Sequence, residues 1–381
     1  MRVLHAYKIY KPDVEGGVPE VISSLTRDDP DGLESSILVA RSQGLARNYS
    51  IDNVPVTASS SFGTLFSMPI APLYPPTLAW RSHRVELIIH HTPFPLTDLS
   101  AVGLASSVAF VVHWHAEIMS RNFLKSMLAP AIHHALRRAD KIIVSHPVMI
   151  DRSEFLTAYR EKCIAVPYGL DTAYWSTLTE LQQLIAKRLR ERFPRLVVAV
   201  GRLVDYKGYS VLLHALKGLD AQLVIIGDGP LLSELKALSH ELGVAQSVVF
   251  AGRLDRDEMK QYLHAARVMV LASVTPAEAF GLVQIEAMAA GRPVVNTSLP
   301  TAVPFIVRHE REGLTVAPGD ADAMRSALRR LLDDEALAAR LGSAGQLRAN
   351  SEYNQELFRT RNFAIYKEAL EHRRSLLANR A

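Results

Sequence analysis

Two glutamates stand eight positions apart in the segment EAFGLVQIE, Glu278 at its start and Glu286 at its end. The apolar run VMVLAS comes before them, and EAMAAGRPVV leads into another apolar run after them. Phe280, Gly281 and Leu282 fall where a loop must turn into a helix. The first backbone N–H groups of a helix have no partner inside it, so this turn offers them to an anion. Glu278 then lies in the loop and Glu286 about one and a half turns into the helix. Two carboxylates in one crevice accept hydrogen bonds, which suits the hydroxyl groups of a sugar and a ribose.

A second segment, VAVGRLVDYKG, carries cations. A strand ends at Gly201, Arg202 follows, and Lys207 comes just before Gly208. Glycine lets a ligand approach the backbone closely, and an Arg and a Lys can clamp a diphosphate. Gly227 opens GDGP after another strand and is taken as a donor-side glycine. A purely structural turn is the alternative there, with Asp228 capping and Pro230 at the first helical position.

Toward the start, Glu15-Gly16-Gly17 follows the first strand and opens a helix. Gly16 and Gly17 can bring backbone against a phosphate or an acceptor, or can simply supply positive φ. In VVHWHAEI, His113 and His115 are two apart at the end of a strand, so they share a face. Two such histidines resemble a metal pair, but no companion cysteine or carboxylate is evident, and no metal site is expected. Asp29/Asp31 and Asp255/Asp257 resemble a D-x-D metal motif. Both pairs sit in turns before helices and read as caps.

Other chemistries are not written here. There is no G-x-x-x-x-G-K-[ST], no Gly-x-Ser-x-Gly nucleophile and no complete G-x-G-x-x-G. The one cysteine, Cys163, allows no internal disulfide or thiolate cluster and fits a reducing cytoplasm. The 381 residues carry a formal charge of +4 and show no basic stretch interleaved with aromatics, so nucleic acid is not an expected partner. His5 and Lys8 interrupt the apolar start MRVLHAYKIYKP, which therefore does not read as a leader, and no run approaches the roughly 20 apolar residues of a membrane span. The expected location is cytoplasmic. Ser67–Trp80, rich in proline and apolar residues, either packs on its own domain or faces a membrane.

Short β-branched runs alternate with helical patterns along the whole chain. The runs are residues 2–6, 36–39, 87–90, 109–112, 141–144 and 163–166, then 196–200, 222–226, 247–250, 268–272, 293–296 and 313–316. This alternation predicts an α/β fold with parallel sheets covered on both faces. It pauses once, between Tyr168 and Pro194, which divides the chain into residues 1–170 and 171–359. In such sheets ligands bind beyond the carboxyl ends of the strands.

The ordered set GGVPEVISSL, VVHWHAEIM, RADKIIVS, VPYGLD, VAVGRLVDYKGY, VIIGDGP, VVFAGRL, AEAFGLVQIEAMAAGRPVV and GLTVAPGD covers nearly the whole chain. It resembles the retaining glycosyltransferases of group 1, or family four type, with the E-x7-E signature, a family that includes many bacterial mannosyl- and glucosyltransferases. The resemblance implies the GT-B architecture, two Rossmann-like domains facing across a cleft. The N-terminal one is the acceptor side, the C-terminal one binds the nucleotide sugar, and a final helix of about residues 360–381 returns to the first. It implies Arg202 and Lys207 on the diphosphate, Glu278 on the transferred sugar and Glu286 on the nucleotide ribose. His115 would lie near the reacting carbon, with His113 in support and Gly16, Gly17, Gly201 and Gly227 lining the donor. No cofactor is implied. The substrate is a GDP- or UDP-linked hexose, GDP-mannose slightly favoured, and the acceptor a saccharide or lipid-linked saccharide at an anionic inner-membrane surface. An inactive sugar-nucleotide scaffold, and a phosphorylase or epimerase of the same fold, are the alternatives. Three positions depart from the pattern. Phe305 stands where many relatives carry glutamate, Ala302 where glycine is common, and Tyr168 where asparagine is frequent.

Overall fold

The structure, a computed structural model, describes residues 1–14, 16–30, 32–65, 68–117 and 122–379. It divides into two compact units, Met1–Tyr168 with Glu356–Ala381, and Gly169–Gln355. The division falls after Tyr168 rather than after residue 170. Tyr168 is buried in the first unit, whereas the Leu170 N–H already donates to the Tyr353 carbonyl of the second. The returning helix spans Gln355–Ala378, longer than the sequence pattern marks.

In the first unit the strands are β1 (Arg2–Ala6), β2 (Glu34–Ala40), β3 (Arg47–Ile51), β4 (Val54–Ser59), β5 (Thr64–Leu65), β6 (Met68–Pro69), β7 (Leu87–Thr92), β8 (Ala109–Trp114), β9 (Lys141–Val144) and β10 (Cys163–Ala165). Eight of them form one sheet in the order β10-β9-β8-β7-β1-β2-β4-β3. Every pair is parallel except β3 with β4. Every residue of β7 and β8 is buried, as expected of central parallel strands covered on both faces. Ile88, Phe110, Val112 and Trp114 pack with Tyr74, Leu78 and Phe94 on one face. The other face carries Ile22, Ile37, Val39 and Val56.

The parallel sheets match the expectation, and the antiparallel β3–β4 hairpin adds one edge strand that the sequence pattern did not mark. Asp52 and Asn53 have φ of 50° and 63°, the two left-handed residues of a type I′ turn. Such a turn suits the twist of paired strands and reverses the chain in two residues.

The second unit contains β11 (Leu196–Val200), β12 (Gln222–Ile226), β13 (Val248–Gly252), β14 (Val268–Val270), β15 (Val294–Thr297) and β16 (Gly313–Val316). They form one fully parallel sheet ordered β13-β12-β11-β14-β15-β16. This is the doubly wound order with its reversal between β11 and β14, the place where such sheets bind ligands. Leu212, Leu213, Leu223, Ile225, Val270, Leu328 and Leu331 share one core. Among the described residues no helix is long and apolar enough to cross a membrane.

The Ser67–Trp80 segment, described from Met68, divides its residues. Ala71, Tyr74 and Leu78 join the core, while Ile70, Leu73 and Trp80 remain exposed. Phe62 and Leu65 beside them are exposed too, and the Phe62 N–H donates to the Ile70 carbonyl.

Candidate functional site

The loops after β11 and β14 leave adjacent strands at the reversal point of the second sheet, and backbone ties them together. The Val274 N–H donates to the Tyr206 carbonyl at 2.8 Å. Gly208, at φ 68°, lies so close that a Cβ there would stand 2.1 Å from the Ala272 carbonyl oxygen. Glycine is therefore required by contact as well as by backbone angle. Gly227 has a similar reason to be glycine. Its φ is 138°, and a Cβ would stand 2.1 Å from the Gly201 carbonyl oxygen. The donor-side role read for Gly227 thus sits on a residue whose place is already fixed by packing.

Across these loops the Lys207 ammonium donates to Glu278 Oε2 at 2.5 Å, and Ser273 Oγ donates to the same oxygen at 3.0 Å. Both ionic side chains are largely buried. Burial alone would lower the Lys207 pKa, but the Glu278 charge and hydrogen bond prevail and hold it above its ordinary value. Lys207 is therefore a committed cation. Glu278 Oε1 accepts no hydrogen bond among the described residues, so it is open to a hydroxyl. Arg202 is exposed, and its guanidinium has no partner among the described residues. Tyr209 Oη donates to the Gly201 carbonyl at 2.9 Å and holds the end of β11.

Gly281, at φ 76° and ψ 64°, is the cap of helix Leu282–Ala289, and no side chain caps that end. The N–H groups of Leu282 and Val283 are left for an anion. Glu286 is half-buried on this helix, and Phe280 is buried against Tyr353. Arg202, Lys207, Glu278, Gly281 and Glu286 thus belong to the two strand ends that flank the reversal. Ala302 is buried, with its N–H on the Ala279 carbonyl, and the Phe305 side chain is 44% exposed.

The described aspartates of the two acidic pairs each bond protein donors. Asp255 forms a capping box with Glu258, as expected. Asp257 instead accepts from Tyr174 Oη at 2.7 Å and Gln182 Nε2 at 3.0 Å. Asp29 caps no helix. It accepts from the Ser35 N–H and hydroxyl, pinning the start of β2, while Asp31 lies outside the described residues. The GDGP turn also differs from the reading. Asp228 bonds the Gly229 N–H, and the helix begins only at Leu232.

In the first unit, Gly16 and Gly17 have φ of 82° and 58°, and nothing lies within 4 Å of where their Cβ atoms would be. They serve backbone direction at the start of helix Val18–Thr26, whose end has no side-chain cap. Glu15 lies outside the described residues. His113 and His115 share a face, with rings stacked at 4.3 Å. The structure adds two histidines that sequence spacing did not connect, His5 from β1 and His91 from β7. His91 bonds His5 at 2.9 Å and His115 at 2.7 Å, and His115 bonds Tyr168 Oη at 2.5 Å. Both ring nitrogens of His115 are therefore engaged within this unit. Burial pushes His5 and His113 down to about 3, and His91 and His115 well below the ordinary histidine range. Paired His90-His91 at a strand end was the available signal, but only the register β1–β7–β8 brings it to His5 and His113.

Residues 182–348 match the family model for glycosyl transferases group 1. The chain is 29% identical over 354 residues to the D-rhamnosyltransferase WbpZ of Pseudomonas aeruginosa, covering 91% of each chain. It is 33% identical over 281 residues to the GDP-mannose-dependent alpha-(1-6)-phosphatidylinositol monomannoside mannosyltransferase of Mycobacterium tuberculosis, covering 69% of this chain and 71% of that one. In fold it is similar to Anabaena Alr3699/HepE, solved in complex with UDP, with a TM-score of 0.79, 20% identity, and coverage of 96% of this chain and 99% of that one. With the doubly wound second sheet and the loops at its reversal, these likenesses place the chain among the group 1 glycosyltransferases, with the GT-B fold.

Proposed function

We propose that this glycosyltransferase takes a hexosyl group from a nucleoside diphosphate sugar held by its second unit. It passes the group, with retention and without a divalent metal, to a hydroxyl of a saccharide or lipid-linked saccharide. The observation that carries this is the charge arrangement at the β11–β14 reversal: Arg202 without a partner among the described residues, Lys207 paired with Glu278, and the open helix start at Gly281.

The reaction breaks the bond from the anomeric carbon to the diphosphate, and charge grows on the leaving oxygen. Preorganised cations and N–H groups stabilise such charge by about 3 kcal/mol each. Arg202, Lys207 and the amides after Gly281 are the groups available here. Glu278 Oε1 would take a hydroxyl of the moving sugar, and Glu286 the ribose. The acceptor oxygen bonds the anomeric carbon from the face the diphosphate leaves, and its proton passes to the departing phosphate oxygen. Metal independence is supported by the acidic pairs, since Asp29, Asp255 and Asp257 are each committed to protein donors. In the first unit the same reading gives ligand contacts to Gly16, Gly17 and the carbon edge of the His115 ring, whose two nitrogens are taken by His91 and Tyr168, with His113 behind. The support is their position at the carboxyl ends of β1 and β8.

GDP-mannose is placed ahead of UDP-sugars because the mycobacterial relative is named as GDP-mannose-dependent. An acceptor at an anionic membrane surface is supported by the exposed side chains of Phe62, Leu65, Ile70 and Leu73. Cosedimentation with anionic vesicles that fails at every salt concentration would remove that part alone.

A thermal-shift panel of GDP, UDP and their sugars tests the donor without the acceptor. A GDP-mannose shift exceeding that of any UDP-sugar is expected. No shift with any nucleotide would overturn the donor assignment, and turnover abolished by EDTA would overturn metal independence.

A further inference from the structure

His5, His91, His115 and Tyr168 meet in a way that their sequence positions do not announce. In the first sheet β1 lies between β2 and β7, so the winding reverses between β1 and β7. His5 stands on one side of that reversal and His91 on the other, both at the carboxyl end of the sheet. The contacts run from His5 Nδ1 to His91 Nε2 at 2.9 Å, His91 Nδ1 to His115 Nε2 at 2.7 Å, and His115 Nδ1 to Tyr168 Oη at 2.5 Å.

The ring planes show what these contacts are. His5 and His91 lie 21° apart in plane with centroids at 5.2 Å, and His91 and His115 lie 9° apart with centroids at 5.0 Å. In both pairs the centroids exceed the bonded nitrogens' separation by the same margin. That is the geometry of imidazoles meeting rim to rim in nearly one plane, with each N–H directed along a lone pair. His113 differs. It lies face to face with His115 at 4.3 Å, and neither of its ring nitrogens has a partner among the described residues.

A metal site is the competing reading, because His91, His113 and His115 bring ligand atoms within 4.8 Å of one another. Two features oppose it. An ion sits near the plane of each imidazole that holds it, and stacked planes such as those of His113 and His115 do not meet between the rings. The bonded nitrogens of His91 and His115, at 2.7 Å, are also closer than the roughly 3.3 Å that tetrahedral bonds of about 2.0–2.1 Å require.

A neutral imidazole has one N–H and one bare nitrogen. Three linked contacts then permit only two proton arrangements, one the reverse of the other, and no ring can change tautomer alone. Tyr168 also hydrogen-bonds the Ser145 side chain, but an imidazole nitrogen is a stronger acceptor than a serine hydroxyl oxygen, and a tyrosine hydroxyl is a stronger donor than an imidazole N–H, so the phenol between Ser145 and His115 decides the direction. Tyr168 therefore donates to His115 Nδ1, His115 Nε2–H to His91 Nδ1, and His91 Nε2–H to His5 Nδ1. We propose that Tyr168, His91 and His5 are positioning residues: they form one tautomer-locked hydrogen-bond chain that fixes the ring of His115 at the end of β8. The residue that sets its direction, Tyr168, is one of the positions where this chain departs from the family pattern. The depressed pKa values agree with three uncharged rings.

The proposal rests on the glycosyltransfer reading for its consequence, not for its chemistry, so the test has two arms. In the first, two-bond 1H–15N spectra of 15N-histidine-labelled protein at neutral pH, with signals assigned by single variants, report each ring's tautomer. All three rings are expected as Nε2–H. Tyr168→Phe should release the lock and move the His115 and His91 signals toward mixed tautomers. His5→Asn, whose amide oxygen replaces the accepting Nδ1, should keep the wild-type pattern. Mixed tautomers in the wild type, an imidazolium, metal-shifted nitrogens, or signals unmoved by Tyr168→Phe would each overturn the chain.

In the second arm, hydrolysis of donor sugar is followed without acceptor. Tyr168→Phe is expected to lower kcat about tenfold while KM stays within about twofold, because orientation and not ground-state binding is lost. His5→Asn should stay near wild type. Wild-type kcat in Tyr168→Phe would refute the positioning role even where the spectra show the chain. Absent hydrolysis in the wild type beside locked tautomers would count against the donor reaction and leave the chain standing.

Discussion

The Lys207 ammonium reaches across from the β11 loop to Glu278 Oε2 in the β14 loop, 2.5 Å away, and the pair is largely buried. Each charge depends on the other for compensation, and removing one partner of a buried pair costs about 3–5 kcal/mol. Lys207→Ala is therefore expected to lower the thermal midpoint and to cut kcat by roughly 10²–10³, with KM for donor changing far less. Lys207→Arg keeps a cation for Glu278, so its midpoint should recover most of the loss. Its kcat should not, because a guanidinium fork does not place charge at the same point. Steady-state kinetics and differential scanning fluorimetry on the two variants separate these effects. Wild-type turnover in Lys207→Ala would remove Lys207 from the reaction.

Arg202 offers the opposite case. It is exposed and has no protein partner among the described residues, so the fold owes it little. Arg202→Ala should leave the thermal midpoint of the free enzyme within about 0.5 kcal/mol equivalent of wild type. The shift produced by nucleoside diphosphate should shrink, and turnover should fall by a factor of about 10². A nucleotide-induced shift equal to that of wild type would show that the guanidinium does not meet the diphosphate.

Glycines at the same loops test their joining. Gly208 combines φ 68° with a carbonyl oxygen 2.1 Å from where its Cβ would stand. Gly208→Ala is expected to cost more than about 2 kcal/mol, since strain and overlap both act. Gly16→Ala meets no atom within 4 Å and bears only the positive φ, so its cost should be about 1 kcal/mol. Urea midpoints order the two. Equal losses would mean that the close approach between the β11 and β14 loops relaxes freely.

Much of this architecture is legible in the residues. Continuous apolar runs mark the central strands, because a parallel sheet covered on both faces leaves them no polar side. The loops carrying Arg202, Lys207 and Glu278 follow such runs directly, and a strand end followed by a turn is a local signal. The β3–β4 hairpin was missed because its strands, RNYSI and VPVTAS, are short and half-polar, and the Asp52-Asn53 pair at its turn is a quieter signal than Asn-Gly. The histidine chain was missed for a different reason. His5 and His91 are separated by 86 positions, and only strand register makes them neighbours. Aspartates read as helix caps had mixed fates. A carboxylate in a turn bonds whichever N–H the tertiary fold delivers, a helix for Asp255 and a strand for Asp29.

Acid should act on the first unit through its buried histidines. Burial holds His5 and His113 down to about 3 in the folded chain, and His91 and His115 are also held well below the ordinary histidine value of about 6.5. Desolvation is the main cause in each, and charge on a neighbouring ring adds to it for all but His5. A histidine whose folded pKa is depressed binds its proton more readily in the unfolded chain. Its contribution is therefore complete above 6.5 and is lost as pH falls toward the folded value. Each such group removes about 1.4 kcal/mol per pH unit within that window. Four acting together would remove about 5 kcal/mol per unit, comparable to the whole stability of an ordinary domain. Urea midpoints followed by tryptophan fluorescence are expected to be level from pH 8 to 7 and to fall steeply between about pH 6 and 5. His113→Gln, which removes one titrating ring whose nitrogens have no partner among the described residues, should flatten that slope by about one quarter. A midpoint unchanged down to pH 4.5 would mean that these rings take up protons without unfolding, and that the sheet's carboxyl edge is more open to water than its packing indicates.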